Sequence, residues 1–141
     1  MKHICATLLL LCTPEITLEN KFVNKVKECA LEYNSMVEEQ NRIPIILVLA
    51  QAVQESNWGK SRFAIQGNNL FGVRAVNGED YIDLLLTSKH YKKFQKELIN
   101  QWFTDTIEVN KLVDTLDLYA EDVYYKDKIK DVIKYVKRRL Q

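Results

Sequence analysis

Between Ile45 and Val53 the chain runs through nine residues of which only Gln51 is polar. A segment that is apolar on every face cannot lie on a surface, and as a helix it must be surrounded by other elements. Strand is the competing reading, since the run is rich in β-branched residues. The apolar character outlasts ordinary strand length on its way to a stop at Gly59, and Pro44 suits a first helical turn, where its missing N–H costs nothing. A central helix is therefore predicted. All four glycines (Gly59, Gly67, Gly72, Gly78) fall within one window of twenty residues, and the only prolines are Pro14 and Pro44. Breakers are thus nearly absent elsewhere, which predicts a helical chain with one irregular loop.

The flanking segments supply the surrounding helices. From about Leu18 to Gln40, Phe22, Val26, Cys29, Ala30, Tyr33, Met36 and Val37 recur at helical spacing. Beyond the glycine window a short helix is predicted over Asp80 to Leu86, carrying Tyr81, Ile82, Leu84 and Leu85. The next, from about Ser88, places Tyr91, Phe94, Leu98 and Trp102 on one stripe. Another from about Thr106 aligns Val109, Leu112, Val113 and Leu116. The last aligns Tyr125, Ile129, Val132, Ile133, Val136 and Leu140. With 141 residues, 47% hydrophobic and 28% charged, the expectation is one mainly α domain of about six helices.

Charge and composition exclude several classes of function. Twenty Lys and Arg against 19 Asp and Glu leave a net charge of +1, so no global field favours nucleic acid. The stretch from Lys126 onward is locally basic, which at a helix carboxyl end complements the dipole and solvates a face. The longest largely apolar run, Ile4 to Cys12, is nine residues, less than half of a helical membrane span. Following Met1-Lys2-His3 it reads either as the hydrophobic part of a secretory signal, without an Ala-x-Ala cleavage site, or as a short element packed on the core. Residues 1–17 are accordingly set apart from a domain over 18–141. The spacing of Cys5, Cys12, Cys29, His3 and His90 argues for neither a metal site nor a disulfide framework, and no cofactor is expected.

Glu55 is the residue to explain. It follows an almost uncharged helix and stands at its carboxyl end, where dipole and desolvation both disfavour a negative charge and raise the pKa. A carboxylic acid kept protonated beside a cleft is what a glycosidase needs to protonate a leaving oxygen. The bland alternative is an exposed helix-end glutamate paired with Lys60 or Arg62. Around Glu55, Gln51, Gln54, Asn68 and Asn69 offer amides that read sugar hydroxyl and acetamido groups, and Trp58, Phe71 and Tyr81 offer faces for pyranose rings.

The stretch from Arg42 to Gly72, with Leu-Ala-Gln-Ala-Val-Gln-Glu-Ser-Asn-Trp-Gly-Lys-Ser-Arg-Phe-Ala and then Gly-Asn-Asn-Leu-Phe-Gly, closely resembles the glucosaminidase domain of glycoside hydrolase family 73. Leu118-Tyr119-Ala120-Glu121-Asp122, followed by Tyr125 and Lys128-Ile129, is similar to that family's second block. The resemblance, over about Phe22 to Val136, implies a lysozyme-like helical fold and a mannosyl-glycoprotein endo-β-N-acetylglucosaminidase-like peptidoglycan hydrolase. It implies Glu55 as catalytic acid, Tyr119 as the tyrosine across the cleft, and Asn68, Asn69, Phe71 and Gly72 as the loop shaping the sugar site. The implied protein is a monomer acting on peptidoglycan strands outside the cytoplasm, exported or released as a phage lysis or virion protein.

Two departures stand out. Asn57 replaces the usual glycine, a mild change because Asn tolerates left-handed backbone. Between Gly72 and Asp80 the family's longer lobe, often a β-hairpin with a second acidic residue, is shortened or absent. Hydrolysis generally needs a second carboxylate unless the substrate's acetamido group takes that role. Glu79 is the best-placed candidate, since Asp80 and Asp83 fall inside the predicted helix. The shortened lobe also admits a different class, a non-catalytic glycan-binding or wall-docking module.

Overall fold

The computed structural model describes residues 17–67, 69–71 and 78–140, leaving out the side chains of Gly78, Glu79 and Leu140. The candidate export segment before Thr17 lies outside the described residues. Among these the regular structure is helical: α1 (Leu18–Ser35), α2 (Ile45–Ser56), α3 (Arg62–Gly67), α4 (Gly78–Thr87), α5 (Lys92–Phe103), α6 (Val109–Asp114) and α7 (Tyr125–Leu140). Short 3-10 turns occupy Glu39–Asn41 and Lys89–Tyr91. The domain is mainly α, as the breaker distribution and the helical spacing predict.

Helix α2 is the predicted central helix. Leu47, Val48, Leu49, Ala50, Gln51, Ala52 and Val53 are all buried, so both of its faces are covered. Pro44 stands just outside as the flanking residue, with φ −54° and ψ 129°. Helix α7 packs along α2 more extensively than any other element does, and α1 covers a second side.

Helix α1 starts where Thr17 Oγ1 accepts from Asn20 N at 3.1 Å, which satisfies one of the free N–H groups of its first turn. It ends at Ser35, short of the predicted Gln40, and Met36 is 68% exposed. Asn34 explains the early stop. Its buried amide donates to Ile43 O at 2.8 Å and accepts from Ile43 N at 3.1 Å, which turns the chain back toward α2. In α5 the predicted stripe is corrected at its end: Trp102 is 47% exposed and Gln101 takes the buried position. Gln101 accepts from Glu108 N at 2.9 Å and donates to Glu108 O at 3.1 Å, so a side chain completes the backbone pairing between α5 and α6.

Tyr125, Ile129, Ile133 and Val136 of α7 are buried in one stripe, while the rest of the helix is strongly charged. Its basic side chains have specific partners. Lys126 donates to Asp114 O at 2.9 Å and pairs with Asp117, Lys130 meets Asp114 at 2.5 Å, and Lys128 pairs with Asp122. Exposed pairs are weak singly, but these converge on the connection between α6 and α7 that carries Tyr119. The Lys126 hydrogen bond holds the Asp117 carboxyl below the ordinary carboxylate range.

The exit from α2 is unusual. Asn57, Trp58 and Gly59 are successive left-handed residues, with φ of 49°, 60° and 74°. Trp58 N reaches back to Val53 O at 3.3 Å and Gly59 N donates to Ser56 Oγ at 2.9 Å, so the carboxyl end of α2 is closed by its own chain. A Cβ at Gly59 would stand 2.7 Å from Phe22 Cδ2 in addition to carrying a positive φ. Gly59→Ala is therefore expected to destabilise the fold by roughly 1–3 kcal/mol, read as a lower urea midpoint with an unchanged slope.

Candidate active site

Gln51 and Glu55 are one helical turn apart and share a face of α2. Glu55 is half-buried, and burial raises its carboxyl above the ordinary value of 4.5, with a hydrogen bond from the Tyr125 side chain working in the opposite direction. The helix-end salt bridge considered from the sequence does not form. Lys60 pairs with Glu19 at 3.8 Å, and Arg62 Nε donates to Gln66 Oε1 at 3.1 Å.

Behind Glu55 the polar atoms form a line. The fully buried Tyr81 donates its hydroxyl to Gln51 Oε1, Gln51 Nε2 donates to Tyr125 Oη at 3.0 Å, and the Tyr125 hydroxyl meets Glu55. Burial, and then the charge of Glu55, push the Tyr125 hydroxyl far above its ordinary value, so it remains protonated and serves as a donor. Aromatic rings enclose this line. Phe71 stacks on Tyr81 at 4.4 Å, Tyr119 stacks on Tyr125 at 5.6 Å, and the Tyr119 hydroxyl donates to Phe71 O at 2.9 Å.

These contacts place the residues singled out in the sequence. Gln51 and Tyr81 have no exposed surface and Phe71 and Tyr119 are 2% and 4% exposed, so in this conformation they support the site from within and present no face to a sugar. Tyr119 holds the loop at Phe71, and it is Tyr125 that reaches Glu55. Trp58 is engaged elsewhere, with the edges of Phe22 and Tyr135 at 6.3 and 5.5 Å and the Arg139 guanidinium 5.4 Å from its ring centroid. Asn69 folds its own loop, its Oδ1 accepting from Phe71 N at 3.2 Å. Asn68, Gly72 and the Glu79 side chain lie outside the described residues, and the Glu79 backbone belongs to the first turn of α4. The spacing of α7 already marks Tyr125 as a buried residue. A buried tyrosine needs a partner for its hydroxyl, which was the available signal that it does more than pack.

The raised carboxyl has a consequence for stability. Because folding favours the protonated form of Glu55, its contribution is complete below the unfolded value near 4.5 and is lost as pH rises through the higher folded value. Glu55→Gln removes this loss. The melting temperature of the variant relative to the parent chain is expected to rise as pH increases from 4 toward neutrality, as thermal melts across that range would read.

A family model described as mannosyl-glycoprotein endo-beta-N-acetylglucosaminidase matches residues 31–138, which include α2, Tyr119 and most of α7. The chain belongs to the glucosaminidase family. At the level of that family it is a glycoside hydrolase domain. Two Streptococcus pneumoniae proteins named "Putative endo-beta-N-acetylglucosaminidase" are each 30% identical to it over 112 residues, 73% of this chain. The chain spans only about one sixth of their length, 16% and 15%. "Protein bax" of Escherichia coli is 38% identical over 48 residues, covering 34% of this chain and 18% of that protein. No solved structure matches the chain significantly. Within this glucosaminidase domain no helix among the described residues is long and apolar enough to cross a membrane.

Proposed function

We propose that the domain hydrolyses β-1,4 glycosidic bonds next to N-acetylglucosamine in peptidoglycan, with Glu55 as general acid. The observation that carries this reading is a half-buried carboxyl at the end of an apolar helix, raised by burial and held by a tyrosine hydroxyl, within the segment the family model matches. A carboxyl that keeps its proton to higher pH than an ordinary glutamate can pass it to a leaving oxygen, which lowers the barrier to departure of the sugar. Asn68 and Asn69 bind the acetamido sugar and Trp58 contributes at the rim. Tyr119 acts through the loop at Phe71, and Gln51, Phe71 and Tyr81 act from behind the cleft. Glu79, at the start of α4, supplies the second carboxylate as base. The substrate lies outside the cytoplasm, and the domain acts there as a monomer.

The test is turnover of purified cell-wall fragments, with products read by mass and by anomer. New reducing ends at N-acetylglucosamine support the proposal, and intact fragments retained on the protein identify a glycan-binding module instead. For the second group, a large rate loss in Glu79→Gln supports a base. A retained anomer with an unaffected rate removes Glu79 from the mechanism in favour of the substrate's acetamido group.

A further inference from the structure

We propose that Arg139, near the end of α7, is a positioning residue: it fastens Trp58 and the left-handed exit of α2 to the start of α1, and so fixes the last turn of α2, on which Glu55 stands. The role rests on Glu55 as the acid, but the latch itself can be read without any turnover.

Asn57 and Trp58 carry φ of 49° and 60°. Left-handed backbone costs a residue with a side chain roughly 1–2 kcal/mol, and it persists only where the surroundings over-determine it. Asparagine tolerates that region, whereas a bulky tryptophan does not, so something outside the turn must hold Trp58. The turn's own bonds, Trp58 N to Val53 O at 3.3 Å, Gly59 N to Ser56 Oγ at 2.9 Å and Ser61 N to Ser56 O at 3.0 Å, close it without reaching another element. The side chains do reach. The Arg139 guanidinium lies 5.4 Å from the Trp58 ring centroid and 4.8 Å from that of Tyr135. Its Nη2 donates to Tyr135 Oη at 2.6 Å and pairs with Glu19 Oε2 at 2.6 Å, and its Nη1 donates to Asn20 Oδ1 at 3.4 Å. Glu19 in turn meets Lys60 at 3.8 Å, and Phe22 lies against Gly59 too closely to admit a Cβ. Three successive residues of the exit are thus tied to α1, directly or through Arg139. The Arg139 and Glu19 side chains are only 29% and 27% exposed, so their pair is partly shielded from water and stronger than an open surface pair. The consequence for Glu55 is short-range: the bond from Trp58 N to Val53 O spans it, and releasing Trp58 lets the last turn of α2 open. Glu19, Asn20, Phe22 and Arg139 all lie outside residues 31–138, so the latch is built largely from segments flanking the stretch that the family model matches.

Residue-resolved amide hydrogen exchange in the full chain reads the latch directly. Arg139→Gln removes both the ion pair and the cation over the rings, and it is expected to speed exchange at the Trp58, Gly59 and Ser61 amides by about tenfold. Leu98→Ala, in the core at α5, lowers global stability and should leave those three amides at the parent rate. Turnover of cell-wall fragments adds the readout for positioning. Arg139→Gln should lower kcat by roughly ten- to a hundredfold. In a Glu55→Gln background the same substitution should cost nothing further, because a residue that acts through Glu55 has no effect once the acid is gone. Unchanged exchange in folded Arg139→Gln overturns the proposal, as does equal acceleration in Leu98→Ala. An unchanged kcat beside accelerated exchange, or a full additional loss in the double variant, overturns it as well. Absence of turnover in the parent chain counts against the hydrolase reading instead, and the exchange rates then decide whether Arg139 holds the exit of α2.

Discussion

Glu55→Gln is expected to lower the hydrolysis of cell-wall fragments by about 10²–10⁴-fold, the usual loss when a positioned general acid is removed. Glutamine is the informative replacement because it changes one property. Its volume and length match those of glutamate, and the hydrogen bonds from Tyr81 to Gln51 and from Gln51 to Tyr125 do not involve position 55 and stay in place. What disappears is the ionisable proton. The variant should therefore fold, keep its affinity for N-acetylglucosamine oligomers and lose rate. Initial rates of reducing-end release, measured together with oligomer binding, check both halves. A variant that hydrolyses at the parent rate would show that Glu55 is not the acid.

The largest expected effect on stability lies at the contact between α2 and α7. Ile129 has no exposed surface and sits one turn after Tyr125 on the buried stripe of α7. Ile129→Ala should cost about 2–5 kcal/mol, the range for truncating a large aliphatic side chain in a packed core. A domain of this kind has about 5–15 kcal/mol in total, so the substitution consumes a large share of it. The loss should be severe because neighbouring α7 positions are charged and cannot move inward to fill the hole without burying lysines or aspartates. Urea denaturation is expected to show a lower midpoint at unchanged slope, and an effect below about 1 kcal/mol would mean that α7 does not pack on α2 as described.

Much of the architecture was legible from residue spacing because helical periodicity is a local property. The apolar run from Ile45 needed to be surrounded wherever it went, and Tyr125, Ile129, Ile133 and Val136 lie on one stripe whatever they meet. Expectations failed where a polar side chain served a distant backbone. Asn34 ends α1 by pairing with Ile43, and Gln101 displaces Trp102 from the interior by pairing with Glu108. A polar residue at a helical position reads as a surface residue until its partner is known, and those partners come from another part of the chain.

The same division applies to the site. The sequence by itself determined that a glutamate ends an apolar helix beside a glycine-rich loop, and the order of the two motif blocks pointed to the family. It could not show that Phe71, Tyr81, Tyr119 and Tyr125 all face the interior, because an aromatic residue beside a polar loop reads equally as core or as a sugar platform until its surroundings are known. Tertiary structure alone joined Tyr81, Gln51 and Tyr125 through hydrogen bonds. These residues come from three helices, and a hydrogen bond depends on the position of two atoms to within a few tenths of an ångström. Periodicity sets the face a side chain occupies; only the packing of α2, α4 and α7 against one another sets that distance.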